Sequence, residues 1–288
     1  MFGRITIVIL VMLAGIFALG SAAYQDGIVE ETTKMTATLT VTSSTAPLLP
    51  AVAAYTVFDP SDGRVLLSHN ADRPLPIASI TKLFAAMAIR DTFELDDSIV
   101  IEWSDLDVVG TAGGLQFGQR YTYRELLFPL LLSSSNSAAL AFERGAISSG
   151  APLPEVMERL VQRYDFTSVR FVDASGLSAG NLASASDLAG LVSATREQYA
   201  YIYTIAGMNS YVGPYHGWQN NSPFISDKRY ISGKHGFTNA AGRTVVALFS
   251  EEIDGATVEL GYIILGSADL VSDMQTLRKR TVDLVSWQ

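Results

Sequence analysis

Ser79-Ile80-Thr81-Lys82 places a hydroxyl and an amine three positions apart. On a helix these positions share a face, so the amine can reach the hydroxyl oxygen. A serine hydroxyl is a weak nucleophile until a base takes its proton. Lysine becomes such a base when burial or a neighbouring cation lowers its pKa. Ile77, Ala78, Ile80, Leu83 and Phe84 surround the pair in sequence and argue against a solvated lysine. At a helix start the Ser79 N–H, aided by the helix dipole, would also face a developing oxyanion. The competing reading is an N-cap serine followed by a surface lysine, and the spacing alone does not separate the two.

Two further clusters carry groups of the same chemistry. Ser134-Ser135-Asn136 offers a hydroxyl and an amide that can face one cavity from a tight interhelical turn. Ser134 could pass a proton towards a leaving amine, and Asn136 could hold Lys82 or a substrate amide. The alternative is a serine-rich connection in which Ser135 or Asn136 caps the next helix. Lys234-His235-Gly236-Phe237-Thr238 lies between two strand-like segments. Lys234 would add a cation that suppresses the Lys82 pKa and attracts a carboxylate, and Gly236 would let a substrate backbone approach. Here the alternative is an exposed hairpin turn.

These residues need elements that bring positions 79, 134 and 234 together. Val52–Phe58 and Arg64–Ser68 read as strands joined by the turn cluster Asp59–Gly63. A helical stretch follows from Ser79 to about Asp91. Tyr123–Leu132, Asn136–Ile147, Pro154–Tyr164 and Ser186–Gln198 also have helical patterning. Arg229–Ser232, Arg243–Ser250 and Thr257–Leu265 read as strands, and Asp269–Trp287 as a closing helix. Strands at both ends of a helical middle predict an α+β fold. Its antiparallel sheet is shared by the two ends, flanked by helices and joined to a mostly helical subdomain.

The first residues read as a targeting segment. Arg4 precedes an apolar run from Ile5 to Leu19 that ends in small residues up to Ala23. Residues 1–23 are therefore expected to be a signal peptide or an N-terminal membrane anchor, with attachment through residues 5–23. The rest of the chain is then expected outside the cytoplasm, at the outer membrane face, in the periplasm or in the wall. Residues 24–49 are rich in Thr and Ser and read as a linker, and residues 50–288 as the catalytic domain. TATLTVT within that linker could form a lone edge strand, with a flexible spacer preferred. The 288 residues include no cysteine, which excludes disulfides, thiol catalysis and thiolate metal sites. A net charge of −9 without a basic cluster argues against nucleic-acid binding.

Taken in order, S-x-x-K, S-x-N and a lysine–glycine strand motif match the signature of penicillin-binding proteins and class A β-lactamases. The chain resembles the low-molecular-weight D-alanyl-D-alanine carboxypeptidases, serine peptidases of that superfamily. AAYTVFDPSDGRVLLSHNADRPLPIASITK is similar to the family's strand–turn–strand and nucleophile helix, and LLLSSSNSAALAFE to its S-x-N turn. FVDASGL with SASDLAGL is similar to its F-x-x-x-x-G-L loop and following helix, and SGKHGFTNAAGRTVVALF to its K-T-G strand. The resemblance implies that Ser79 forms an acyl-enzyme, Lys82 activates it and Ser134 shuttles a proton. It implies that Asn136 contacts the substrate backbone and that Lys234 receives the terminal carboxylate. It further implies an oxyanion hole made by the N–H groups of Ser79 and Phe237. Peptidoglycan stem peptides are the implied substrate, β-lactams the implied covalent inhibitors, and no cofactor or metal is expected.

Two departures bear on function. His235 stands where the family has a threonine that helps to bind the substrate carboxylate. An imidazole can donate a hydrogen bond and, if protonated, adds attraction. About fifty residues follow Lys234, and they are expected to finish the catalytic domain without the β-rich domain of larger members. FVDASGL contains no glutamate that could speed deacylation as in class A β-lactamases, which favours a peptidase. The remaining alternatives are an endopeptidase that cuts D-alanyl crosslinks and a weakened wall-binding or regulatory homologue.

Overall fold

The computed structural model describes residues 39–41, 48–49, 51–110, 113–166 and 168–287. Strands β1 (Ala54–Phe58) and β2 (Val65–His69) form the expected hairpin, closed where the Gly63 N–H donates to the Asp59 carbonyl. β3 (Tyr230–Thr238), β4 (Gly242–Ile253) and β5 (Ala256–Ser267) join them in one sheet of order β3-β4-β5-β1-β2. Every neighbouring pair is antiparallel, so the two ends of the chain share the sheet and β3 is an edge strand.

β3 is longer than its sequence pattern suggests. Gly233 and Gly236 weaken the local strand signal. Pairing of Ser232–Thr238 with Gly242–Leu248 overrides that weakness. Lys234–Thr238 therefore lie within a strand, rather than in the exposed turn that was the alternative.

Side chains along β4 alternate between two cores. Val246 and Leu248 face the helical middle, while Val245, Ala247 and Phe249 face the other side. α7 (Leu270–Leu284) covers that second side with Leu270, Met274 and Leu277. The helical middle contains α1 (Thr81–Thr92), α2 (Tyr123–Leu131), α3 (Asn136–Ser148), α4 (Leu153–Gln162), α5 (Ala185–Thr195) and α6 (Ala200–Gly207). α1 is buried at every residue from Thr81 to Ile89, so a polar group on it meets protein on all sides. α5 starts one residue earlier than expected, because Ser184 caps it by accepting from the Asp187 N–H.

The leader expected at residues 1–23 lies outside the described residues, as does most of the linker expected at 24–49. Within that linker, however, Leu39–Val41 is a strand paired with Val285–Trp287. The edge-strand alternative for TATLTVT thus holds there, with Leu39 and Val285 buried in the second core. Among the described residues no helix is long and apolar enough to cross a membrane.

Candidate active site

Ser79 lies in a 3-10 turn, Ala78–Ile80, that runs directly into α1. Neither the turn nor the helix has a side-chain N-cap bond, so Ser79 is not a capping serine. Ala78 has φ +49°, a left-handed value uncommon for a residue with a Cβ. The surroundings hold it there. Thr81 Oγ1 donates to the Ala78 carbonyl at 2.7 Å, and Thr244 Oγ1 donates to the Ile77 carbonyl at 2.8 Å. Strain fixed by its neighbours in this way clusters at functional turns.

Lys82 is completely buried, and its Nζ lies 3.2 Å from Ser79 Oγ. Nζ also donates to Asn136 Oδ1 at 2.7 Å and to the Ser175 carbonyl at 2.5 Å. A neutral amine has two N–H bonds and one lone pair. With both N–H bonds directed at carbonyl oxygens, the lone pair is left for the serine hydroxyl. Burial, and then the charge of Lys234, push Lys82 well below the ordinary lysine range, while Asp173 and Glu143 pull it upward.

The loop between α2 and α3 carries the second cluster. Ser134 is half-buried at φ +58°. Ser135 caps α3 by accepting from the Ala138 N–H at 3.0 Å, so capping and site-forming roles fall on adjacent residues. Asn136 takes the Lys82 role of the two that its sequence left open. Its amide nitrogen donates to the Val109 carbonyl at 2.8 Å, so both ends of this side chain are engaged.

β3 forms the facing wall. Lys234 is buried, its Nζ donates to the His235 carbonyl at 2.9 Å, and burial lowers its pKa to about 7. His235 is pushed down to about 3 by burial and by the nearby Lys234 and Arg243 charges. The imidazole is therefore neutral near neutral pH, and the added attraction of a protonated ring does not arise. Gly236 lies against the Ala78–Ile80 turn so closely that a Cβ there would sit 2.4 Å from the Ser79 nitrogen. The Phe237 ring is 58% exposed, with the Arg243 guanidinium 5.4 Å from its centroid.

A cleft of about 1010 Å³ opens over these groups, lined by Ser79, Ser134, Asn136, His235, Gly236 and Phe237 among others. Both lysines lie behind the lining rather than in it. The structure thus gathers all seven sequence-derived candidates around one cleft. Sequence reasoning missed Ser175, which acts through its main-chain oxygen, and Arg243, which enters the lining from β4. It also missed Glu143, which accepts from the Ala174 N–H at 2.5 Å. The FVDASGL stretch marked this loop, but no residue type there signals a carbonyl contact. Among the described residues no three His, Asp or Glu side chains gather as a metal site.

An antiparallel sheet with helices on both faces and a serine–lysine pair at the foot of its edge strand define the penicillin-binding transpeptidase fold. The crystal structure of D-alanyl-D-alanine carboxypeptidase from Mycobacterium tuberculosis superposes with a TM-score of 0.71 at 23% identity, covering 83% of this chain and 92% of that one. The chain belongs to the D-alanyl-D-alanine carboxypeptidase family, whose model matches residues 40–262. It is 30% identical over 199 residues to a D-alanyl-D-alanine endopeptidase of Pseudomonas aeruginosa, covering 66% of this chain and 64% of that protein. A D-alanyl-D-alanine endopeptidase of Escherichia coli is 26% identical over 219 residues, covering 73% of this chain and 70% of that protein. The match thus spans less than two thirds of the Pseudomonas relative's length.

Proposed function

We propose that the protein is a serine D,D-carboxypeptidase that cleaves the terminal D-alanyl-D-alanine bond of peptidoglycan stem peptides through an acyl-enzyme on Ser79. The observation that carries this reading is the Lys82 amine, buried and held by two carbonyl oxygens with Ser79 Oγ 3.2 Å away. In the first step the Ser79 hydroxyl proton passes to Lys82 Nζ as Oγ bonds to the scissile carbonyl carbon. The oxyanion faces the N–H groups of Ser79 and Phe237. Collapse breaks the C–N bond, and the leaving amine takes the Lys82 proton by way of Ser134. Water then repeats the sequence on the ester and releases Ser79. Lys234, cationic below about pH 7, supplies positive potential for the substrate carboxylate, with Arg243 at the cleft surface.

Endopeptidase action on D-alanyl crosslinks is a second reading, favoured by the names of the Pseudomonas and Escherichia relatives. Both reactions release an amine from a D-alanyl carbonyl, so the same acyl transfer serves either. The wall substrate places the domain outside the cytoplasm. Export or anchoring through residues 1–23, a linker ahead of the catalytic domain, and β-lactams as covalent inhibitors complete the proposal.

Mass spectrometry after incubation with a penicillin tests the acyl transfer. The wild type is expected to gain one covalent adduct and Ser79→Ala none, with a loss of at least ~10³-fold in peptide cleavage. An unmodified wild type, or an adduct retained in the alanine variant, would refute the mechanism. Muropeptides with and without crosslinks separate the two peptidase readings.

A further inference from the structure

Glu143 and Asn136 are seven residues apart on α3, which puts them on one face two turns from each other. Asn136 touches Lys82 directly at 2.7 Å. Glu143 reaches the loop that supplies the lysine's other acceptor, because Ala174, whose N–H it holds at 2.5 Å, immediately precedes Ser175. The loop is otherwise organised from inside by Asp173. That carboxylate accepts from the Ser175, Gly176 and Ser178 N–H groups, the Ser175 hydroxyl and the Asn181 amide. Asp173 therefore shapes the turn, while Glu143 ties it to the helix that carries Asn136. The contacts close a circuit from Lys82 through Asn136, α3, Glu143, Ala174 and Ser175 back to Lys82.

We propose that Glu143 is a positioning residue for the acyl transfer: it locks the Ser175 carbonyl against Lys82, and its negative charge offsets Lys234 across the lysine. This rests on the serine D,D-peptidase reading above. The charged groups facing Lys82 are Lys234 from β3, Asp173 from the loop and Glu143 from α3. Burial raises the Glu143 carboxyl above the usual carboxylate range, and above its own pKa it favours the protonated lysine. Removing the charge while keeping an acceptor should make Lys82 a free base at lower pH. Removing the acceptor should release the Ser175 carbonyl and misdirect the lone pair.

The test is the pH profile of second-order acylation by a fluorescent penicillin for wild type, Glu143→Gln and Glu143→Met, with a thermal melt for each. The Gln variant keeps an oxygen for the Ala174 N–H. It should stay within ~3-fold of wild type on the plateau, with its acidic limb moved to lower pH. The Met variant keeps the length but not the acceptor, and should lose ~10-fold or more on the plateau, since misplacement by about an ångström suffices for such losses. Wild-type acylation in the folded Met variant, or a loss in Gln equal to that in Met, overturns the proposal. Should Met fail to fold, the Gln limb decides alone, and an unmoved limb overturns it. A wild type that is not acylated sinks the peptidase reading and this inference with it, whereas acylation unchanged in both variants sinks this inference alone.

Discussion

The two walls of the cleft are built on different terms. On the proposed nucleophile wall, Lys82 has partners for each direction in which its amine can bond, and α1 is buried around its circumference. The unusual backbone at Ala78 is held by two threonine hydroxyls. On the β3 wall, an edge strand presents a half-buried His235 and a largely exposed Phe237. A proton-transfer pair loses function when it moves by about an ångström, so its surroundings are over-determined. A recognition surface only has to complement a ligand that arrives with its own charges. The walls can therefore tolerate change very differently, and substitutions on each should show it.

Gly236 is the point where the two walls touch, and it should give the largest effect among substitutions outside the serine–lysine pair. A Cβ there would meet the Ser79 nitrogen at 2.4 Å and Ala78 Cβ at 2.9 Å. The first of these is backbone, so the turn or the strand must shift. Gly236→Ala is expected to fold but to lose at least ~10²-fold in penicillin acylation, by disturbing the proposed oxyanion donors. Near-normal acylation would mean that the strand can back away without cost, and the nucleophile wall would be less rigid than described.

Lys234 sharpens the contrast from the other side, since it is buried like the nucleophile wall but belongs to the recognition strand. Its pKa falls from the ordinary 10.5 to about 7 on folding. Between those values the unfolded chain binds the proton and the folded chain does not, so this residue's contribution to stability rises with pH across that window. Below about pH 7 the full cost of the buried charge is present. Lys234→Met should therefore raise the melting temperature by a few degrees, by ~2–4 °C per kcal/mol for a domain of this size, and more at pH 6 than at pH 9. The same variant should lose peptide turnover. In the wild type, KM for carboxylate-ended peptides should rise as pH increases through about 7, while the amine of Lys82 remains available. A melting temperature that drops at both pH values would show that the lysine is structurally required.

Which parts of this arrangement were legible in the sequence follows from which atoms do the work. Ser79 and Lys82 were legible because an i, i+3 pair converts spacing directly into proximity. The shared sheet was legible from strands at both ends of a helical middle. The extent of β3 was not, since Gly233 and Gly236 interrupt the strand pattern and pairing with β4 alone restores it. Leu39–Val41 looked like spacer because its partner, Val285–Trp287, lies almost the whole chain away and was hidden behind a helical pattern. Ser175 was illegible in principle, because any residue can offer a main-chain oxygen. Glu143 was missed for a different reason. FVDASGL itself holds no glutamate, yet α3 brings one onto that loop from 31 residues upstream of Ala174.

His235 should produce the smallest effect, and for that reason it tests the comparison most closely. Its ring is neutral near pH 7, with burial first and then Lys234 and Arg243 disfavouring protonation. It then offers the cleft hydrogen bonding without charge, much as a threonine hydroxyl would, but with greater bulk. His235→Thr is expected to change KM for D-alanyl-D-alanine peptides by ~3–10-fold, on the scale of one hydrogen bond, and to leave kcat within ~3-fold. Neither protein should show a histidine ionisation in its activity between pH 5 and 8, because the imidazole titrates near 3. A wild-type limb near pH 6 to 7 that vanishes in the threonine variant would place a charged imidazole in the working cleft. A large fall in kcat would show that the β3 wall takes part in the proton chemistry, and the division between the two walls would not stand.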